Sequence, residues 1–335
     1  MTAPAAGQRR PGRAVGIDVG GTKVAGGVVD ADGVIGSRIR RDTPSRDPRG
    51  VEATVLEVAR ELAGESGVAS LGIGAPGFVD ETGSIVRFAA NLGWREVPLR
   101  SRIEEAIGLP TTVDNDGNTA AWGEVRFGAG QGESEVAFVG VGTGIGGGLV
   151  LGGELVRGRF GMAAEFGHVR VVPEGRPCGC GRRGCWEQYA SGSALLREAR
   201  ERSRALPEAA QGLLARGDGT PEGLDGPLIA AAAEDGEPLA LACFAEIGRW
   251  LGAGIADLVA VLDPAVVIVG GGVSEAGELL MESARRTFAT ALVAADHRPM
   301  PELRLAALGN DAGLVGAADL SRWSPGSSRS VPLGD

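Results

Sequence analysis

The stretch GIDVGGTKVAGGVV, residues 16–29, alternates β-branched residues with glycine and carries a single carboxylate, Asp18, between Ile17 and Val19. This period predicts a strand, a tight turn at Gly20 and Gly21, and a second strand. Glycine at such a turn reaches positive φ and lets backbone N–H groups approach a ligand closely. An idle carboxylate in so apolar a run would be costly to desolvate, so Asp18 reads as functional. The turn's N–H groups and the Thr22 hydroxyl, followed by Lys23, can cradle a phosphate. Asp18 can then hold hydrated Mg2+, which keeps its waters and takes one or two carboxylates. A Walker loop is excluded, because Thr22 stands where its lysine belongs and no Ser or Thr follows Lys23.

Working outward, the chain holds 57 glycines, gathered in short clusters where strands should end: GIGAPG, GVGTGIGGGLV and VIVGGGVS. Gly142, Gly144 and Gly147 satisfy the dinucleotide fingerprint G-x-G-x-x-G, which requires a helix next. The following GLVLGGELV reads as strand and turn, so that fingerprint does not apply. No HRD or DFG motif of a protein kinase is present. GTKVAGGVV from Gly21 aligns without gaps to GTGIGGGLV from Gly142, a faint internal repeat. Residues 51–63 place Val51, Val55, Val58, Ala59 and Leu62 on one helical face. Helices are further predicted over 98–108, after the strand TTVDND, over most of 193–260, and over 275–291 and 311–320. Buried strands are predicted at SLGIGAP and AVVIVGGG, and a last strand at ELRLAAL. Strands alternating with helices indicate an α/β protein.

Composition excludes several classes. Net charge is -10 with no basic block, which disfavours nucleic acid as the main partner. No uninterrupted apolar run reaches the roughly 18 residues that span a bilayer. Residues 1–13 have arginines but no apolar core of a secretory signal, and read as a disordered leader; residues 323–335 read as a flexible tail. Four cysteines, three of them clustered, fit a reducing cytoplasm better than a disulfide framework.

That cluster follows His168: Cys178, Cys180 and Cys185, with Gly179, Gly181 and Gly184 between them. Three thiolates and an imidazole make a tetrahedral Zn2+ site with no open position, hence structural rather than catalytic. Buried structural cysteines or a redox pair would explain neither the spacing nor the histidine, one of only two in the chain. Zinc fixes His168 at one end and Glu187, two residues past Cys185, at the other. One imidazole nitrogen stays available for a hydroxyl. Glu165, three residues before His168, shares its face if the stretch is helical. Two carboxylates and an imidazole held this way read a polyol.

These motifs together resemble the sugar kinases of the actin–hexokinase–Hsp70 fold. More narrowly, GIDVGGTK, GVGTGIGGG, VIVGGGVS and GHVRVVPEGRPCGCGRRGCWE are similar to the ROK family of repressors, open reading frames and kinases, from about residue 14 to 320. The resemblance implies duplicated actin-like ATPase (ribonuclease H-like) α/β domains flanking a cleft and closing over substrates. A small domain would run over 14–125, with a C-terminal helix at 310–322 packing back on it, and a large domain with the zinc loop over 126–309. It assigns Gly20, Gly21, Thr22 and Lys23 and Gly142, Thr143 and Gly144 to phosphate binding, and Gly270, Gly271 and Gly272 to adenosine. Asp116 becomes the general base and Asn115 a sugar ligand, where Asp114, Asn115 and Asp116 alone could equally be helix caps. Gly77 and Asn91 become hydroxyl contacts.

The resemblance thus implies ATP-dependent phosphorylation of the glucose 6-hydroxyl, with Mg2+ carried by ATP and a homodimer or homotetramer. N-acetylmannosamine, N-acetylglucosamine, mannose or fructose kinases share these motifs. VIVGGGVS looks like a retained adenosine loop, which favours ATP over polyphosphate. A sugar-sensing repressor would need an N-terminal DNA-binding unit of some sixty residues where about a dozen precede the first strand.

Overall fold

The computed structural model describes residues 9–44 and 47–323. The leader and tail expectations for residues 1–8 and 324–335 lie outside the described residues. In chain order the strands are β1 (Arg13–Val19), β2 (Lys23–Val29), β3 (Ile35–Asp42), β4 (Val68–Ala75), β5 (Phe78–Val79), β6 (Val86–Ala89), β7 (Trp94–Val97), β8 (Thr111–Asn115), β9 (Val136–Val141), β10 (Ile145–Leu151), β11 (Glu154–Leu155), β12 (Val266–Gly270) and β13 (Glu302–Leu305). The α-helices are α1 (Pro48–Ala63), α2 (Leu99–Ile107), α3 (Asp116–Phe127), α4 (Glu187–Ala190), α5 (Gly192–Ala205), α6 (Gln211–Leu214), α7 (Gly226–Glu234), α8 (Pro238–Leu262), α9 (Glu278–Ala291) and α10 (Ala312–Ser321).

The two five-stranded sheets run β3-β2-β1-β4-β8 and β11-β10-β9-β12-β13. Each order is third, second, first, fourth, fifth, so the faint repeat marks a duplicated topology. In both halves the repeated glycines form the turn between the first two strands. Strands β1, β2 and β3 pair antiparallel, while β4 runs parallel to β1 and β8 parallel to β4. Parallel neighbours need crossovers, and α1 and α2 supply them. Helix α1 starts at Asp47, whose carboxylate accepts from the Arg49 N–H, and buries the five residues its period predicted. A third, small sheet, β5-β6-β7, was not legible in the glycine-rich loops of residues 76–97.

The chain divides into two compact units. One comprises the chain up to Phe138, Gly147–Ala164 and the chain from Ala306; the other comprises Val139–Gly146 and Glu165–Leu305. In the first, α10 is buried along its whole length against β1, β4 and α3. Glycine makes this approach possible: a Cβ on Gly16 would stand 2.0 Å from the Leu314 carbonyl oxygen. At the end of α10 the fully buried Asp319 accepts from Trp122 Nε1 at 2.9 Å, Arg126 Nε at 3.3 Å and Arg9 Nη2 at 2.6 Å. Burial alone would raise its pKa, but the Arg9 and Arg126 charges hold it below the usual carboxylate range. Arg9 and Arg10, read as leader, are therefore held: Arg10 N–H also donates to the Arg322 carbonyl at 2.7 Å.

In the second unit α8 packs along α9. This 25-residue helix is long and apolar enough to cross a membrane. Most of its apolar window is buried within the fold, and the helix as a whole carries Glu246, Arg249 and Asp257.

Candidate active site

In the first unit, β8 ends at Asn115 and α3 begins at Asp116. The cap of α3 is Asn115: its Oδ1 accepts from the Asn118 N–H at 3.1 Å. Asp116 is thereby released from capping, and its Oδ1 accepts from the adjoining Gly117 N–H at 2.9 Å. The Asn115 amide also donates to the Gly77 carbonyl at 2.9 Å and faces the Asp116 carboxylate. Asn115, Asp116 and Gly77 thus form one group. The helix head is seated on β10 through Gly117, where a Cβ would come within 2.3 Å of the Gly147 carbonyl oxygen.

Asp18, at the end of β1, belongs to the same group. Its pKa is pushed up to about 7, first by burial and then by the charge of Asp116, with Lys23 opposing. Burial pushes Asp116 up to about 6, against the lowering by the Gly117 N–H and the Asn115 amide. Both residues keep some exposed surface, as reacting groups must. Two carboxylates this desolvated, with Lys23 the one cation acting on Asp18 among the described residues, are short of positive charge. A hydrated divalent cation beside Asp18 fits that deficit. The turn after Asp18 closes by Gly20 N–H donating to the Lys23 carbonyl at 2.8 Å, and Thr43 Oγ1 donates to the Gly20 carbonyl at 2.8 Å. Gly21 and Thr22 stand exposed at its tip.

This cost gives a prediction. A carboxylate whose folded pKa exceeds its unfolded value near 3.8 opposes folding once ionised. The favourable contribution of its protonated form is complete below about pH 4 and is lost as pH rises through about 7. Asp18→Asn should therefore stabilise the ligand-free protein by roughly 2 kcal/mol at pH 8. Thermal melts should show this gain shrinking towards pH 5; an unchanged or lowered melting temperature at pH 8 would contradict it.

In the second unit the cysteine loop is a small ladder rather than an open coil. Cys178 N–H donates to the Arg182 carbonyl at 2.8 Å, Gly184 N–H to Arg176 at 2.8 Å, and Val171 N–H to Gly184 at 2.9 Å. Gly181 and Gly184 adopt φ of 84° and 78°, which turn the ladder. One ligand atom from each of His168, Cys178, Cys180 and Cys185 lies within 4.8 Å of the others. Cys178 Sγ is 3.7 Å from His168 Nδ1, and Cys180 Sγ is 3.6 Å from Cys185 Sγ. A tetrahedral site with Zn–S bonds of about 2.3 Å has edges of about 3.8 Å, so the donor set matches a structural metal in kind and spacing. Behind it Trp186 is buried, its Nε1 donating to the Trp250 carbonyl of α8 at 2.9 Å.

The cluster also settles the orientation of His168. Nδ1 faces Cys178 and stands 3.8 Å from Glu187 Oε1, which accepts from Cys178 Sγ at 3.0 Å. Nε2 points the other way, 4.0 Å from Glu165 Oε2. Glu165 heads a single 3-10 turn over Phe166–His168, so the two share a face. The loop carrying Gly142, Thr143 and Gly144 is held by α5: Gly192 N–H donates to the Gly142 carbonyl at 2.8 Å, and Ser193 N–H to Thr143 at 3.3 Å. A Cβ on Gly144 would lie 2.5 Å from Glu187 Oε2, so this loop abuts that carboxylate. Gly270 ends β12, and Gly271, with φ 85°, leads to the 3-10 turn that starts at Gly272. In the first unit, Asn91 stands exposed on the 3-10 turn Ala90–Leu92.

One pair had no motif to announce it. Arg157, beyond β11, donates from Nε and Nη2 to Asp114 Oδ2 at 2.8 and 2.6 Å. The two are 43 residues apart in sequence, and only the fold brings them together.

Residues 14–323 match the ROK family. The chain is 50% identical to the glucokinase of Streptomyces coelicolor, over 93% of its own length and 98% of the relative's. Its structure is similar to that of a ROK family glucokinase from Streptomyces griseus in complex with glucose and AMPPNP. That likeness has a TM-score of 0.87 at 50% identity, covering 93% of this chain and 99% of that one. The ROK hexokinase from Thermus thermophilus is similar at 36% identity and a TM-score of 0.72, over 92% of this chain and 98% of that one. Matches of this extent, to proteins covered almost end to end, leave one assignment: the chain belongs to the ROK family.

Proposed function

We infer that the chain is an ATP-dependent glucokinase, which moves the γ-phosphoryl group of ATP to the 6-hydroxyl of glucose and releases ADP. The observation that carries this reading is the likeness, at 50% identity, to a relative solved with both glucose and a nucleotide. The Asn115–Asp116 group supports it. Asp116, with its pKa pushed up to about 6, is still ionised at neutral pH and basic enough to take the 6-hydroxyl proton as the oxygen attacks. Asn115 orients the same hydroxyl region, with Gly77, Asn91, Glu165, His168 Nε2 and Glu187 reading the remaining hydroxyls.

The turn Gly20–Lys23 and the loop Gly142–Gly144 present backbone N–H groups and the Thr22 and Thr143 hydroxyls to the phosphates, and Gly270–Gly272 leave room for adenosine. Positioning and charge stabilisation of this kind supply most of the catalysis in phosphoryl transfer. Mg2+ bound with ATP, held through Asp18, would neutralise charge on the phosphates. Zn2+ on His168, Cys178, Cys180 and Cys185 would stiffen the hydroxyl-reading face, as a closed site without an open coordination position. We further read the enzyme as cytoplasmic and as a homodimer or homotetramer.

The test is product formation from Mg-ATP with glucose, mannose, fructose, N-acetylglucosamine and N-acetylmannosamine in parallel. Glucose is expected to give the highest kcat/KM. Turnover confined to an amino sugar would keep the chemistry and move the specificity. Sugar binding without turnover on any substrate would overturn the enzyme reading in favour of a sensor.

A further inference from the structure

The Asp114–Arg157 pair is nearly buried, with side-chain exposures of 5% and 19%. A buried ion pair seldom stabilises a fold more than apolar residues of the same volume would, because both charges lose their hydration. Stability is therefore a poor reason for its presence, and its connections suggest another. Asp114 Oδ1 accepts from the Asn115 backbone N–H at 3.0 Å and from Asn118 Nδ2 at 3.0 Å. It thus orders the residue that caps α3 and faces Asp116, and a second asparagine one turn along. Asn118 is held with its Oδ1 buried and unpaired among the described residues. Turning that amide over would set its oxygen against the Asp114 carboxylate, so Asp114 fixes the orientation of the Asn118 amide.

The other end of the pair restrains the chain. The Arg157 carbonyl accepts from Ala163 N–H at 3.0 Å, which closes the segment 157–163 into a loop. At its middle Gly161, with φ 77°, presses on the β5 edge: a Cβ there would lie 2.1 Å from the Val79 carbonyl oxygen. This same strand follows directly on Gly77, the carbonyl partner of Asn115. Arg157 therefore links three pieces on one side of the first unit: the end of β8, the Gly77 turn and the loop leading to Glu165.

We propose that Arg157 is a positioning residue for the acceptor sugar, acting through Asp114 on Asn115 and through its own loop on the Gly77 turn. The inference rests on the reading of Asn115 and Asp116 as sugar ligand and base. Neither Arg157 nor Asp114 touches the reacting atoms in this scheme. The guanidinium is required because Nε and Nη2, on one edge of its rigid plane, both donate to Asp114 Oδ2 and leave Oδ1 to the two asparagines, which a flexible lysine ammonium cannot reproduce.

The experiment is steady-state kinetics with Mg-ATP and glucose, together with thermal melts, for Arg157→Gln, Arg157→Lys, Asp114→Asn and the double variant Asp114→Asn/Arg157→Gln. Arg157→Gln should raise KM for glucose about tenfold or more, with a smaller change in kcat and none in KM for ATP. Arg157→Lys should restore little of this. The double variant should lose less than the sum of the two single losses, since each single leaves one buried charge without its partner. Because it buries neither charge, the double variant also serves if a single one fails to fold. Guanidinium at low millimolar concentration should lower the raised KM of Arg157→Gln, while equal sodium or ammonium should not.

A glucose KM within twofold of the parent, or equal rises in both KM values in step with a lowered melting temperature, would overturn the proposal. Asp116→Asn is assayed alongside. If it keeps turnover, the base reading has failed; if it is inactive while Arg157→Gln is normal, only the positioning role has failed.

Discussion

Asp116→Asn is expected to lower kcat by roughly two to four orders of magnitude while glucose binding changes by no more than a few-fold, read by turnover and by equilibrium titration. The substitution is nearly isosteric and removes only the ability to accept a proton. The fold should tolerate it, because the cap of α3 is Asn115 rather than Asp116. The amide oxygen that replaces the carboxylate could still accept from the Gly117 N–H. The parent enzyme should show the matching pH signature. As a base Asp116 would work only when ionised, and burial has moved it up to about 6, so kcat/KM should fall as pH drops through about 6 rather than through 4. Removing its charge also removes the second cause of the raised Asp18 pKa, so Asp18 in the variant should titrate below about 7. Retained turnover in Asp116→Asn, or an acid limb near 4, would count against its role as the base.

Loss of the metal cluster should be the second large effect. On the zinc reading, elemental analysis should find one zinc per chain in the intact protein and well under that after Cys185→Ser or prolonged chelation. KM for glucose should rise roughly 10- to 100-fold, and kcat at saturating sugar should fall less. The physical reason is orientation. With the tetrad intact, Nδ1 of His168 is fixed at the cluster and Nε2 is aimed beside Glu165. Without it the imidazole and Glu187 regain rotational freedom, and the sugar must order them at the expense of its own binding energy. Folding should also weaken, because metal-binding free energy is folding free energy for a loop built from three thiolates. Trp186, buried behind the loop against α8, should keep the rest of the second unit folded. A demetallated protein with an unchanged glucose KM would refute the stiffening role.

Much of this site is legible in the sequence. The spacing of Cys178, Cys180 and Cys185 after His168 sufficed to expect four side chains converging on one point, as the fold shows, because ligand number and loop length are local properties of the chain. The strand–turn–strand reading of residues 14–29 and the helical face of α1 were equally local, set by side-chain period and by glycine at the turn. The repeat between Gly21 and Gly142 was too short to prove duplication. It gained its meaning when both sheets proved to have the same strand order. Residues 76–97 were less legible, since strands of two to four residues give no period to read, and β5 to β7 emerge only by pairing with one another.

By itself, then, the sequence determined most of the element types, the turn chemistry and the grouping of His168 with the three cysteines, all decided by residues close by along the chain. Tertiary structure decided the rest. It chose Asn115 over Asp114 and Asp116 as the cap of α3. It brought Asp18 and Asp116 close enough for burial and like charge to act on them together. It turned His168 so that Nδ1 faces the thiols, and it carried Arg157 across 43 residues of chain to Asp114. Each of these depends on which distant groups share a low-dielectric neighbourhood, and a linear pattern of residues holds no record of that.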